Sequence, residues 1–201
     1  MKFSTDKIAR AVKFTEDIKK AVFTLSVSQS VIDASMMIAK AKHRIVTTGM
    51  GKAGHIARKA ASTLSSLGMP SCFVHPGEAA HGDLGMVVKG DILLVFSTSG
   101  KTREVIETID RAKNLGVSGI IAITSHPDAT IRNMVDIVVD MGFFEEAGYL
   151  NLAPTTSTVM MLIYSDMIAT LAADMRNFTI GDFAIRHHGG YLGQKCRGES
   201  K

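Results

Sequence analysis

The chain has 201 residues, 46% of them hydrophobic and 21% charged, which is enough apolar mass for one core of ordinary domain size. Its net charge of +4 is scattered, aromatics are 6% and Trp is absent, which argues against a nucleic-acid-binding stripe and for a small anionic ligand. Cys72 and Cys196 stand too far apart for a disulfide framework, the N-terminus has no apolar signal region, and Asp166 interrupts the longest apolar helix pattern; a reducing cytoplasm, with no membrane span, is the expectation.

Residues 5–41 place Ile8, Val12, Phe14 and Ile18, then Val31, Ile32, Met36, Met37 and Ile38, at helical spacing. They predict a helical arm that serves either its own sheet or a contact between copies. From residue 44 onward short apolar runs alternate with helical patterns, the signature of parallel β-α-β winding in an α/β sandwich. Strands are expected at 44–48, 71–75, 92–96, 119–124 and 136–140, and helices at 52–67, 102–115, 129–134 and 155–175. Gly68 and Gly116 are placed as helix stops. The last helix is apolar on most of its circumference, through Val159, Met160, Met161, Leu162, Ile163, Met167, Ile168 and Leu171, and so predicts burial on several sides in a homo-oligomer.

Residues 91–104, DILLVFSTSGKTRE, pass from a doubly buried strand through a hydroxyl-rich turn into a helix. Ser97, Thr98, Ser99 and Thr102 bring hydroxyls, and Gly100 lets the backbone approach a ligand. A helix N-terminus there would offer free N–H groups and a positive dipole end to a phosphate. Taken alone, the same residues serve equally well to cap a helix.

A second loop, Gly49-Met50-Gly51-Lys52-Ala53-Gly54, has the GxGxxG form after the first strand. The acidic residue of a dinucleotide site is missing, because the next strand runs into Val74, His75 and Pro76. Lys52 would bring a cation to a phosphate or an oxyanion, although a surface lysine is the commoner outcome. In a 2-1-3-4-5 strand order, which the sequence does not dictate, both loops face one crevice, and that convergence favours a phosphate site. His75-x-x-Glu78-x-x-His81 has a metal-like spacing, but Pro76 and Gly77 put it in a loop. No metal is expected, and His81 is assigned to the lining of the ligand site.

The segments GMGKAGHI, FVHPGEAAHGDLGMV, STSGKTREVI, EAGYLNLAPTTST and FTIGDFAIRHHGGYLG, spread over residues 49–193, resemble the sugar isomerase (SIS) domain family, and within it the arabinose-5-phosphate isomerases of the Kdo (3-deoxy-manno-octulosonate) pathway. The resemblance implies a three-layer, flavodoxin-like sandwich with a five-stranded parallel sheet of order 2-1-3-4-5. It implies a single domain with a helical arm (1–41), a core (42–180) and a site-completing tail (181–201), assembled as a homodimer or homotetramer. It implies aldose-ketose isomerisation of a sugar phosphate, most closely D-arabinose 5-phosphate to D-ribulose 5-phosphate, with no redox cofactor. The family's catalytic lysine, two glutamates and histidine fall on Lys52, Glu104, Glu146 and His187, the last acting on a neighbouring subunit's site. Its phosphate-binding hydroxyls fall on Ser97, Ser99 and Thr102, with Thr98 between them and Gly49 and Gly51 in the adjoining loop.

Such a reaction moves a proton between C1 and C2 through an enediol, which needs a base over the carbon and an acid or cation near the oxygens. Glu104 is the candidate base, Lys52 the partner for the enediolate, and Glu146 and His187 the groups that shuttle protons or open the ring. Each also has a plain reading: Glu104 in the first turn of its helix, Glu146 in an exposed pair with Glu145, His187 as a tail cap. Departures from the family pattern cluster near the pocket. Ala53 stands for a serine, Lys101 for a glutamate, Tyr149 and Asn151 for proline and glycine, and His188 for proline. Many relatives continue into a pair of CBS regulatory modules; none is expected within these residues. Rival readings are an isomerase of another sugar phosphate and a sugar-phosphate sensor without turnover.

Overall fold

Strands with no polar face form only where both faces are covered, and Ile92–Phe96 and Gly119–Thr124 are buried at every position. In the computed structural model, which describes residues 4–196 and 198, these are the central strands β3 and β4. The rest of the parallel sheet comprises β1 (Ile45–Gly49), β2 (Ser71–Val74) and β5 (Ile137–Asp140) in the order β2-β1-β3-β4-β5. The order assumed for the crevice argument is therefore the observed one. Gly49, the last residue of β1, stands in register with Phe96, the last of β3. Thr47 and Thr48 sit fully buried because their hydroxyls donate to the carbonyls of Ala57 and Val74.

Helices α1 (Thr5–Phe23), α2 (Gln29–Ala39), α3 (Gly51–Ser66) and α6 (Thr156–Met175) lie on one face and α5 (Arg103–Asn114) on the other. The expected arm divides in two. Val31, Ala34 and Ile38 of α2 are fully buried against α6 and β5, so α2 is a core helix, whereas α1 buries only Ala21. Residues 1–3, 197 and 199–201, the ends of the expected arm and tail, lie outside the described residues.

Two expectations need correction, and a third is met in part. The segment 129–134 forms a 3₁₀ turn, Thr130–Asn133, because its first turn is tied to the loop 97–102 through Ile131 N–H to Gly100 O (3.2 Å) and it ends before a second turn forms. Pro76 does not keep its segment a loop: it starts the short helix α4 (Pro76–Ala79), where its missing N–H is no loss. The apolar circumference of α6 is covered only in part within the chain: Val159, Leu162, Ile163, Met167 and Leu171 stay half-buried. It packs between α2 and α3, and although Thr156–Met175 is long and apolar enough to cross a membrane (mean hydropathy 1.3), Met160, Met161, Tyr164 and Ile168 are interior. Fully exposed apolar side chains stand at the end of α6 (Met175), on α1 (Ile8, Val12, Phe23), in the loop 143–152 (Phe143, Tyr149, Leu152) and beyond residue 176 (Ile180, Ile185, Tyr191).

Asp91 organises the edge where the strands begin. Fully buried, it accepts hydrogen bonds from the N–H groups of Arg44 (3.1 Å) and Val88 (3.0 Å) and from the Arg44 guanidinium (3.3 Å). The opposite edge, where the strands end, is left to the glycine and hydroxyl loops.

Candidate functional site

The loop 97–102 is closed by its own side chains. Gly100 N–H donates to Ser97 Oγ (3.1 Å) and Lys101 N–H to Ser99 Oγ (3.3 Å); each hydroxyl spends a lone pair and keeps its O–H. Thr98 O anchors the loop to the next strand, accepting from the Thr124 hydroxyl (3.2 Å) and the N–H groups of Ser125 (3.1 Å) and His126 (3.3 Å). Gly100 has φ 60°, and a Cβ there would come within 2.4 Å of the Ala129 Cβ. Thr102 is the N-cap residue of α5, yet its side chain makes no capping hydrogen bond, so the plain helix-cap reading does not account for its hydroxyl.

Across the crevice the GxGxxG turn brings α3 against β1. A Cβ on Gly54 would stand 2.4 Å from Gly49 O. The two loops meet as expected in a cavity of about 230 Å³, lined by Met50, Lys52, Ala53, Ser97, Thr98, Ser99, Thr102 and His126 together with Pro154, Ser157 and Thr158. The N-termini of three helices, α3, α5 and α6, therefore open on one small polar space. Their summed dipoles favour an anion there. Two larger clefts, of about 660 and 650 Å³, lie beside the outer face of α5 and at the edge where the strands begin; neither has a hydroxyl loop.

Lys52 enters this space and makes no ion pair among the described residues. Lys101, by contrast, is neutralised by Asp128, whose carboxyl is held below the usual range by the hydrogen bond from Lys101. The extra charge beside the loop is thus spent locally. Gly51, φ 60°, is the first residue of α3. Ala53 presents a methyl where a serine hydroxyl would reach the cavity.

Glu146 stands behind the wall formed by α6. Its Oε2 accepts from the N–H groups of Thr155 (2.7 Å) and Ser157 (3.1 Å), and Thr156 Oγ1 accepts from Ala147 N–H (3.0 Å). A carboxylate at a helix N-terminus satisfies orphan N–H groups and the dipole together. The exposed pair with Glu145 is therefore not its setting. Asn151 takes φ 52°, the left-handed region that asparagine tolerates where the family pattern has glycine.

Six expected site residues, Gly49, Gly51, His81, Glu104, Glu146 and His187, lie outside the lining. Glu104 is exposed in the first turn of α5, two residues beyond Thr102. His81 is exposed beyond α4. His187 follows α7 (Ile180–Arg186), which is started by a Thr179–Asp182 capping box, and lies before α8 (Gly190–Cys196). Its ring stacks on Phe183 at 3.8 Å, with Nδ1 3.0 Å from Phe183 O. A Cβ on Gly68, just past the far end of α3, would meet Phe178 at 2.7 Å and Arg186 at 3.5 Å, so His187 leaves the body at the end of α3 remote from its glycine loop. A helix of 16 residues is about 24 Å long. His187 does not reach the cavity of its own chain.

Among the described residues no three His, Cys, Asp or Glu side chains gather to hold a metal ion. Burial pushes the Cys72 thiol up, with Arg44 opposing and Asp91 adding to the effect, which leaves it a poor nucleophile. The sequence reading missed His126, Ser157 and Thr158. The only signal for the last two was the hydroxyl-rich start of the long apolar helix.

A doubly wound sheet whose switch-point crevice is walled by hydroxyl loops and a lysine defines an α/β domain built to take a small anionic ligand. Residues 37–171 match the SIS domain family, and the chain belongs to it. The arabinose 5-phosphate isomerase KdsD of Pseudomonas aeruginosa is 42% identical over 82% of this chain and 50% of its own length. KdsD of Escherichia coli strain K12 is 46% identical over 77% of this chain and 47% of its own. The chain thus spans about half the length of these relatives. Among solved structures, c3406 of E. coli CFT073 in complex with arabinose 5-phosphate is 34% identical, with a TM-score of 0.83 over 92% of this chain and 100% of that one. A candidate phosphosugar isomerase involved in capsule formation from Bacteroides fragilis is 38% identical, with a TM-score of 0.86 over 92% and 99%.

Proposed function

We propose that this chain is a cytoplasmic sugar-phosphate aldose-ketose isomerase that interconverts D-arabinose 5-phosphate and D-ribulose 5-phosphate through an enediol. The observation that carries the reading is the small cavity in which Ser97, Ser99 and Thr102 meet Lys52 at converging helix N-termini. It is supported by the names of the relatives and by the arabinose 5-phosphate bound to a similar fold.

The loop hydroxyls and N–H groups grip the phosphate. At about 230 Å³ the cavity is smaller than the roughly 300–1,000 Å³ of a complete small-molecule site, so the sugar extends past the loop toward exposed Glu104. Glu104 removes the C2 proton; the C2–H electrons form the C1–C2 double bond and the O1 carbonyl becomes an enediolate oxygen. Lys52 stabilises that negative charge. Return of that proton from Glu104 to C1, with transfer of the O2 proton to O1, gives the ketose. No electrons leave the substrate, so no redox cofactor is required. Glu146, ordered by the N–H groups of α6, and His187 carry the oxygen-bound protons.

His187 comes from a second copy of the chain. The exposed apolar residues of α1, the 143–152 loop and the tail are the surfaces for such a homo-oligomer, a dimer or a tetramer. A purified protein given a panel of pentose and hexose phosphates is expected to convert D-arabinose 5-phosphate with the highest kcat/KM. Conversion of a different sugar reassigns the substrate, and binding across the panel without conversion identifies a sensor.

A further inference from the structure

Among the described residues, buried hydroxyls find partners with one exception. Ser35, Thr47, Thr48 and Ser165 turn theirs onto backbone carbonyls. Ser157 Oγ is buried with no hydrogen-bond partner, although the residue is only 1% exposed. A hydroxyl left in that state costs stability, so its retention calls for a reason.

Position explains why no internal acceptor is at hand. Ser35, deeper in its helix, donates to the carbonyl four residues back, Val31 O. Ser157 is the second residue of α6 and has no helical carbonyl behind it. Its own N–H is fixed on Glu146 Oε2 at 3.1 Å, and Thr156 beside it is tied to Ala147, so the backbone that carries the hydroxyl is held from two sides. The neighbouring Thr158 hydroxyl donates to Thr155 O at 2.8 Å. Of the two α6 hydroxyls that line the cavity with Lys52 and the hydroxyl loop, Ser157 alone keeps an unspent donor.

We propose that Ser157 is a ligand-binding residue: its hydroxyl donates to an oxygen of the anionic sugar phosphate seated on loop 97–102, and the ligand supplies the partner that the fold withholds. The inference rests on the phosphosugar reading of this cavity and adds α6 as its third wall. It also gives Glu146 a second task, as the group that positions Ser157 through the backbone.

The test compares wild type, Ser157→Ala and Ser157→Cys, the last keeping the volume with a weaker donor. Calorimetric titration with inorganic phosphate and with D-arabinose 5-phosphate reads affinity, and thermal melting without ligand reads stability. Ser157→Ala is expected to bind the pentose phosphate on the order of tenfold more weakly, with Ser157→Cys between it and wild type. The ligand-free melting temperature of Ser157→Ala is expected to hold or rise, because no internal hydrogen bond is lost. Weakened inorganic phosphate binding as well locates the contact at the phosphate; unchanged phosphate binding locates it at the sugar. Pentose phosphate affinity within twofold of wild type in both variants overturns the proposal. The readout is equilibrium binding, so a wild type that binds without turnover defeats the isomerase reading and leaves this test intact. A wild type that binds no sugar phosphate removes both.

Discussion

The loop 97–102 and the tail beyond residue 176 carry residues of one proposed site, yet they are built in opposite ways. The loop is short in sequence, closed by Ser97 and Ser99, anchored through Thr98 O and seated at the end of β3, one of three strands buried at every position. The tail is tied down by Phe178 and a capping box at the far end of α3, and it leaves Ile180, Ile185 and Tyr191 exposed. In the proposed site one chain completes the grip on the phosphate, and the proton-handling groups are divided between that chain and a neighbour. On that proposal affinity is a property of the fold, and turnover a property of the assembly.

The sharpest separation of the two is Glu104→Gln. It keeps size and polarity but removes the base, and turnover is expected to fall roughly 100-fold or more while pentose phosphate binding changes little, read by kcat and by calorimetry. Next in size is Asp91→Ala at the edge away from the cavity. It leaves two backbone N–H groups and the Arg44 guanidinium without their acceptor, and is expected to cost about 2–3 kcal/mol in denaturant unfolding with an unchanged KM. Ser99→Ala and Thr102→Ala act on the grip itself, with affinity lowered about tenfold each and kcat at saturation kept.

Smallest is Asp128→Asn. The Asp128 carboxyl is held below its ordinary value by Lys101, so any stability it lends is present above about pH 4 and lost as pH falls through the lowered value. The pair is solvent-exposed and screened, and near neutral pH the melting temperature of the variant is expected to match that of wild type.

What was legible in the sequence follows the same division. Residues 91–104 are contiguous, so the strand, the hydroxyl turn and the helix were readable from local chemistry, whereas a ligand-facing turn became distinguishable from a helix cap only with the second loop. The sheet was readable because Ile92–Phe96 and Gly119–Thr124 have no polar face to offer water. The 3₁₀ turn at Thr130–Asn133 was not, since its identity depends on one hydrogen bond to Gly100 across the crevice. Nor was the division of the arm, because α1 and α2 share a helical pattern and differ only in what covers them. Glu146 as the carboxylate at the start of α6, and Ser157 as an unspent donor, are facts of tertiary contact. His187 was named by resemblance alone, and no pattern within one chain reveals which chain's cavity it serves.

A site shared between copies is tested most directly by mixing two inactive proteins. Lys52→Met removes the cation from one chain's cavity and His187→Ala the donor that serves its neighbour, and each alone is expected to lose most turnover. Co-refolded in equal amounts, they form mixed assemblies in which one site carries both substitutions and the other neither. For a two-fold dimer with random pairing about a quarter of all sites are then intact. Recovery of about that share of wild-type kcat, in an assembly larger than one chain by light scattering, is the expected result. No recovery from a mixture shown to co-assemble, or full activity in His187→Ala alone, contradicts a site completed by the second copy.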